Sequence, residues 1–110
     1  KSVRKALDEQ AGAYLPRRLQ YLADIGGFHF SKIRFSNAKG RWGSCSSQGV
    51  ISLNVALLNL PKELIDYVLI HELAHTKQMN HSAEFWQIVQ TYCPEYKVAR
   101  KELKTYSPYL

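Results

Sequence analysis

The chain has 110 residues, which is the size of a single domain with one modest hydrophobic core. Hydrophobic residues make up 45% of it and charged residues 22%, and this balance excludes a disordered tail, a collagen-like repeat and a disulfide-dense miniprotein. The formal net charge of +6 is uneven, because residues 1–50 carry nine Lys/Arg against three Asp/Glu, whereas residues 51–110 carry six of each.

Residues 3–24 have apolar side chains at helical spacing, beginning with Val3 and Leu7. The two glycines at positions 26 and 27 end this pattern. Pro16 predicts either a kink or the start of a second helix, because it lacks an N–H and its ring crowds the carbonyl four residues back.

Three strands are predicted next. Residues 32–35 alternate in polarity, and residues 41–46 and 49–54 form two further strands joined by a tight turn at residues 47–49. The expected arrangement is a small antiparallel sheet that follows the first helix.

Helices occupy the rest of the chain. Pro61 is typical of a first helical position, and the apolar stripe that follows predicts a helix over 61–78. Asn80 is expected to adopt the left-handed conformation that stops this helix. Ser82 is then expected to cap a helix over 83–92, and a last helix is predicted over 95–104. The predicted fold class is therefore α+β, in one domain over residues 1–110.

The two cysteines, Cys45 and Cys93, are far apart in sequence and form no CxxC pair. With no secretory leader in view, they are expected to be reduced, buried thiols in a cytoplasmic protein. No apolar stretch approaches the ~20 residues that span a bilayer, so no membrane partner is expected.

Three of the four histidines lie between positions 71 and 81. Residues four apart lie on one helix face, so His71 and His75 can direct ring nitrogens at one metal ion, for which zinc is the expected cofactor. Glu72 is rotated by about 100° from His71, so it does not chelate in the same plane but can reach a water on the open side of the metal. This is the HExxH arrangement, in which the glutamate acts as general base.

His81 is the predicted third ligand, because the chain can turn at Asn80 and bring this ring back to the metal. Its offset of ten from His71 equals that of the metzincin pattern, although Gln78 stands where that pattern has glycine. A fourth Cys/His ligand that would close the site is not predicted, since His29 lies on another element and is expected to be a surface or core residue. The alternative third ligands are three later carboxylates: Glu84, Glu95 and Glu102.

Two motifs extend this pattern: RWGSCS at residues 41–46, and HELAH, NHS and FW at 71–75, 80–82 and 85–86. In these motifs, and at Gly49, Ile51, Leu53–Asn54 and residues 65–68, the chain resembles the YgjP-like metallopeptidases. These are predicted metal-dependent hydrolases of the zincin group, distantly similar to SprT-like proteases. The resemblance runs from about residue 13 to 106.

The resemblance implies a zincin-like fold in which His71, His75 and His81 bind the metal and Glu72 is the catalytic base. Members of this family are usually longer, with an N-terminal β-rich region. The present chain is therefore expected to be the C-terminal domain of a longer parent.

Three further residues are candidate contacts to a substrate or to a developing oxyanion. Arg41 can bind a carboxylate, a phosphate or the oxyanion, although a surface ion pair explains it equally well. Asn54 ends a predicted strand just before the site and can present its amide to a peptide backbone. Tyr67 lies one turn before His71 on the same helix face and can donate a hydrogen bond to the oxyanion.

The other motif residues are expected to serve the packing of the domain. Trp42 and Trp86 are predicted to lie in the core, because an indole buries a large apolar area. Gly43 is expected to permit a close backbone approach or a bulge.

The sequence therefore predicts a zinc-dependent metallopeptidase in which Glu72 takes a proton from a zinc-bound water and returns it to the leaving amine. The substrate is expected to be an extended peptide or protein segment along an exposed sheet edge. One alternative is phosphoanhydride hydrolysis, in which Arg41 and the basic residues of the first half of the chain bind the phosphates of a nucleotide. Another is a zinc-stabilised DNA- or protein-binding module without turnover, for which the scattered charge gives weak support.

Overall fold

A computed structural model describes the backbone of residues 3–108 and the side chains of residues 9–108. The elements follow the predicted order: α1 (Val3–Gly26), β1 (Lys32–Ser36), β2 (Gly43–Cys45), β3 (Val50–Asn54), a 3-10 helix (Val55–Asn59), α2 (Lys62–Ala74), α3 (Ala83–Tyr92) and α4 (Tyr96–Leu103). The α+β class is confirmed. The sequence pattern missed the 3-10 helix, whose apolar residues pack under α1.

Helix α1 is one continuous helix with Pro16 inside it. Its buried residues recur every four positions, at Ala11, Leu15, Leu19 and Ala23, as the apolar spacing predicts. The side chains of Val3 and Leu7 lie outside the described residues. Gly27, at φ +64°, ends the helix in the left-handed region that glycine favours.

The sheet has the order β1-β3-β2 and is mixed. Strand β2 is antiparallel to β3, as the predicted turn requires, but β1 runs parallel to β3 with Ile33 opposite Ile51. The expectation of an all-antiparallel sheet is therefore wrong. Alternating polarity determines which face of a strand is buried but not the direction of its neighbour, and the loop after β1 carries the chain to the far edge of the sheet before it returns through β3.

Helix α2 packs between the sheet and the other helices, and nine of its residues are buried. Arg18 on α1 donates to both carboxylate oxygens of Asp66 on α2, at 2.9 and 2.8 Å. Beyond the end of α2, Lys77 donates to the carbonyl of Gly26, at 2.8 Å, and its ammonium lies 4.6 Å from the centre of the Phe28 ring. These contacts attach α2 and the turns that follow it to α1.

The C-terminal helices match the prediction closely. The Ser82 hydroxyl accepts a hydrogen bond from the Phe85 N–H and caps α3. Phe85 and Val89 are fully buried on α3, and Ala99 is buried on α4, which packs against α2. No helix in the described part of the chain is both long and apolar enough to cross a membrane.

Candidate metal centre

The three predicted histidines come together. The ring centres of His71, His75 and His81 lie 4.7–5.3 Å apart, and one nitrogen from each ring lies within 4.8 Å of the others. No other group of three His, Cys, Asp or Glu side chains among the described residues is arranged for a metal ion. The competing carboxylates Glu84, Glu95 and Glu102 are not in the group, and His29 is exposed outside it.

Two of the rings are held by their Nδ1 atoms. The Nδ1 of His75 lies 3.1 Å from the carbonyl oxygen of Gln78, and the Nδ1 of His71 lies 3.1 Å from the Oε2 of Glu72. Both acceptors favour a proton on Nδ1, which leaves Nε2 of each ring with its lone pair for a metal ion. Burial lowers the pKa of His75, although its hydrogen bond to Gln78 acts in the opposite direction, so the neutral ligand form is favoured.

The donor set fits zinc. Three neutral imidazoles are typical protein ligands of this ion, and a fourth position is left for water or substrate. His75 is buried, His71 is partly buried and His81 is exposed, so the site opens towards solvent on one side.

Aromatic side chains of α3 pack against the three histidine rings. Phe85 is fully buried, stacks on His75 with ring centres 4.4 Å apart, and meets the edges of His71 and His81. Trp86 lies parallel to His81, with ring centres 6.0 Å apart. These contacts restrict the orientation of all three imidazoles before any metal binds.

The chain between the second and third histidines differs from the prediction. Helix α2 ends at Ala74, His75 is its C-cap, and hydrogen-bonded turns continue to Gln78. Asn80 does not have the expected left-handed backbone, since no non-glycine residue in the described part of the chain has a positive φ. Past the helix end the backbone carbonyl of Gln78 lies 3.1 Å from the Nδ1 of His75, a contact that the side-chain pattern does not show.

Glu72 lies beside the histidines and under the sheet edge. It is only 5% exposed, and its carboxylate neighbours Gly43 on β2. A β-carbon at position 43 would lie 3.2 Å from Cγ of Glu72, 3.4 Å from its Oε2 and 3.1 Å from the carbonyl oxygen of Ser52. The close approach expected at Gly43 is therefore present, and the approaching groups are the backbone carbonyl of Ser52 and the side chain of Glu72.

A cavity of about 250 Å³ adjoins Glu72 and His71. Tyr67 lines it with its ring 6.0 Å from that of His71, and burial raises the pKa of Tyr67 to about 12. Its hydroxyl is therefore protonated at neutral pH and can donate a hydrogen bond. Arg41 lines the same cavity from the loop before β2 and is exposed.

Asn54, a candidate substrate contact, has its amide bonded to backbone groups. The residue is 1% exposed, and its Nδ2 donates to the carbonyls of Ala38 and Arg41, at 2.6 and 3.1 Å. Its Oδ1 accepts from the N–H of Ala56 at 2.9 Å. The amide is thus occupied by the backbone, and Asn54 holds the loop that carries Arg41.

Trp42 and Trp86, predicted to lie in the core, are partly buried against it, and each also lines a surface cavity. Sequence reasoning missed Arg100, which lies 4.9 Å from the Trp86 ring and lowers the pKa of Tyr67 by its charge. It also missed the support that Phe85 gives to the histidines. Both contacts join different helices, and no local spacing signals them.

Comparison with known proteins gives consistent results. The family model described as YgjP-like, metallopeptidase domain, matches residues 1–106. The crystal structure of the metallopeptidase zymogen of Pyrococcus abyssi abylysin is 35% identical, covers 79% of this chain and 89% of that chain, and has a TM-score of 0.71. The crystal structure of the metallopeptidase zymogen of Methanocaldococcus jannaschii jannalysin is 23% identical and covers 76% of this chain and 90% of that chain. It shows the same fold, with a TM-score of 0.62. No curated protein matches the chain.

The resemblance noted from the motifs is therefore confirmed. The family match spans nearly the whole chain, and the histidine cluster occupies the place that the HExxH motif predicts. This chain belongs to the YgjP-like family and is a metallopeptidase domain with a three-histidine metal site.

Proposed function

We propose that the chain is a zinc metallopeptidase in which Glu72 is the general base and His71, His75 and His81 hold the zinc ion. The observation that carries this proposal is the position of the Glu72 carboxylate, which is buried beside His71 and borders the same cavity. When bound, zinc lowers the pKa of a coordinated water and polarises a carbonyl group.

Glu72 accepts the proton of the attacking water and delivers it to the leaving amine. Its burial beside β2 shields the carboxylate from bulk solvent, and the absence of a β-carbon at Gly43 leaves the space that the Glu72 side chain occupies. Tyr67 is a candidate hydrogen-bond donor to the oxyanion, because its raised pKa keeps the phenol protonated in the working pH range. Arg41 is the cationic side chain of this cavity and is a candidate contact to a substrate carbonyl or carboxylate.

The substrate is proposed to be a peptide bound in extended form along β2. This strand is an edge of the sheet, and its residues run past Glu72. An edge strand presents unpaired backbone groups that an added strand can pair with. A peptide added there lies across the histidine cluster, with its scissile carbonyl near Glu72.

The two alternatives have less support. A phosphoanhydride carries several negative charges, but Arg41 is the single Lys or Arg among the described residues lining the cavity beside Glu72. A binding module without turnover leaves the position of Glu72 unexplained. The cytoplasmic location, and the placement of this domain at the C-terminal end of a longer parent, stay predictions.

The test is the substitution Glu72→Gln, which preserves the shape of the side chain and removes its basicity. Zinc binding, measured by equilibrium dialysis, should persist, while hydrolysis of a fluorogenic peptide library should fall by about 10³-fold. Glu63→Gln is the matched control, because Glu63 is an exposed acid in the first turn of the same helix. Retained hydrolysis in Glu72→Gln, or hydrolysis of nucleoside triphosphates but of no peptide, would contradict the proposal.

A further inference from the structure

Helix α4 carries an unusual concentration of positive charge. Residues 51–110 contain six Lys/Arg, and four of them lie at spacings of three, one and three residues on α4 and the residue after it: Lys97, Arg100, Lys101 and Lys104. These intervals place all four on one face of the helix. We call this surface the α4 basic face.

The charges of the α4 basic face are not neutralised within the domain. All four side chains are exposed, and none of them pairs with a carboxylate among residues 9–108. Like charges three and four positions apart on a helix destabilise it. The helix dipole accounts for cations in the last turn but not for Lys97, which lies in the first turn, where a cation is unfavourable.

The α4 basic face borders a surface cavity of about 370 Å³ close to the metal centre. Trp86 and Tyr96 form the aromatic part of its wall. The Trp86 ring lies 5.9 Å from that of His71 and 6.0 Å from that of His81, and Leu103 at the end of α4 lines the cavity beside Glu72. The basic cavity and the active-site cavity are therefore neighbours on either side of α4.

The walls of this cavity favour an anionic side chain over a nucleobase. Trp86 already packs against His81, Tyr96 and Arg100, so its ring is not free to stack on a base. Base stacking is the usual source of affinity for single-stranded nucleic acid. The cavity is instead lined by three lysine ammonium groups and one arginine guanidinium, which can bind a carboxylate.

We propose that the α4 basic face is a substrate subsite that selects peptides with a Glu or Asp side chain a few residues from the scissile bond. An extended peptide advances about 3.3 Å per residue, so a side chain two or three positions from the bond at the metal reaches the far side of Trp86. This inference rests on the proposed peptidase function and names the class of substrate for the same site.

The test compares two octapeptides that are identical except that two Glu in one are Gln in the other. Binding is measured by NMR titration of the zinc-loaded Glu72→Gln protein, which should not cleave them. The Glu peptide should bind the tighter, and Lys97→Gln/Lys101→Gln should weaken its binding about three- to tenfold, with little effect on the Gln peptide, because exposed ion pairs contribute modestly. The preference should shrink at 0.5 M salt, since screening is then strong.

The matched control is Lys32→Gln/Lys62→Gln, which removes two exposed lysines outside this cavity and changes the net charge equally. It should leave the preference for the Glu peptide intact. Thermal unfolding of Lys97→Gln/Lys101→Gln should be unchanged or shifted upwards, because repulsion along α4 is relieved.

Equal binding of the two octapeptides, or equal loss of binding in the control variant, would overturn the subsite. Tighter binding of the oligonucleotide (dT)8, with displacement of the Glu peptide, would assign the face to nucleic acid instead and overturn it too. If wild-type protein hydrolyses both peptides equally well, the subsite fails and the peptidase stands. If it hydrolyses neither but binds the Glu peptide selectively, the peptidase proposal fails and the substrate role of the face fails with it, although the face is then shown to bind acidic peptides.

Discussion

Replacing Gly43 by alanine tests whether strand β2 sets the position of the Glu72 carboxylate, the proposed general base. The added β-carbon would lie 3.1 Å from the carbonyl oxygen of Ser52 and 3.2 Å from Cγ of Glu72. The Ser52 oxygen belongs to the backbone of β3, the central strand. Because β3 is hydrogen-bonded to a strand on each side, this oxygen can shift only slightly. Both neighbours must give by a few tenths of an ångström, and the side chain of Glu72 is the freer of the two to move.

The size of the effect follows from this displacement. Misplacing a reacting group by 1 Å costs about 10²-fold in rate, so a shift of a few tenths should lower kcat about tenfold. Zinc affinity should change far less than kcat, because the three atoms nearest to the added β-carbon belong to Ser52 and Glu72 and not to a histidine. Overpacking should also lower the free energy of unfolding by about 1 kcal/mol.

The assay is steady-state hydrolysis of a fluorogenic peptide, with zinc dialysis and thermal unfolding on the same samples. Gly40→Ala is the matched control, because a β-carbon there meets nothing within 4 Å. Neither glycine has a positive φ, so backbone strain does not distinguish the two variants. A Gly43→Ala protein with wild-type kcat, or one that loses zinc as well as activity, would refute the reasoning.

Three other predictions follow from the same region. Cys45 should react with iodoacetamide at pH 8 about 100-fold more slowly than an unperturbed thiol, because burial and the nearby Glu72 charge raise its pKa from 9.0 to about 11. The metal-free chain should lose stability in urea as the pH falls below about 6.5, since burial lowers the folded-state pKa of His75 and the unfolded state binds the proton more readily. Asn54→Ala should lower the free energy of unfolding by about 3 kcal/mol, because it leaves buried backbone groups without partners.

Each of these has an outcome that contradicts it. Rapid alkylation of Cys45, compared with the same reaction on Cys45→Ser to subtract Cys93, would mean that the thiol is not shielded. A urea midpoint that is equal at pH 5 and 7.5, or equally pH-dependent in His75→Gln, would remove His75 as the cause. Asn54→Ala with wild-type stability would show that the loop before β2 does not depend on this amide.

The metal site could be predicted from the sequence because its geometry is mostly local. His71 and His75 are one helical turn apart, and His81 follows within a short connection, so spacing alone brings the three rings near one another. The cap at Ser82 and the start of α3 follow from equally local chemistry. These predictions needed no knowledge of the remaining core.

The direction of β1 and the contacts of Arg100 could not be predicted in this way. Ile33 would face the core in either strand direction, so the pattern carries no information about its neighbour. Arg100 meets Trp86 and influences Tyr67 only because three helices converge beside the metal site. Such contacts are properties of the assembled fold.

Asn54 shows why a motif position does not by itself identify a substrate contact. A buried amide beside an active site can bond either to a ligand or to the surrounding backbone. When its N–H and oxygen groups are already bonded to the backbone, the amide has a structural role. Asn54 donates to two loop carbonyls and accepts from one N–H, so it holds the loop that carries Arg41 and leads into Gly43. Gly43 in turn accommodates Glu72. Within the RWGSCS motif, Gly43 lies against the Glu72 side chain, and Arg41 is the member that brings a charge to the cavity beside Glu72.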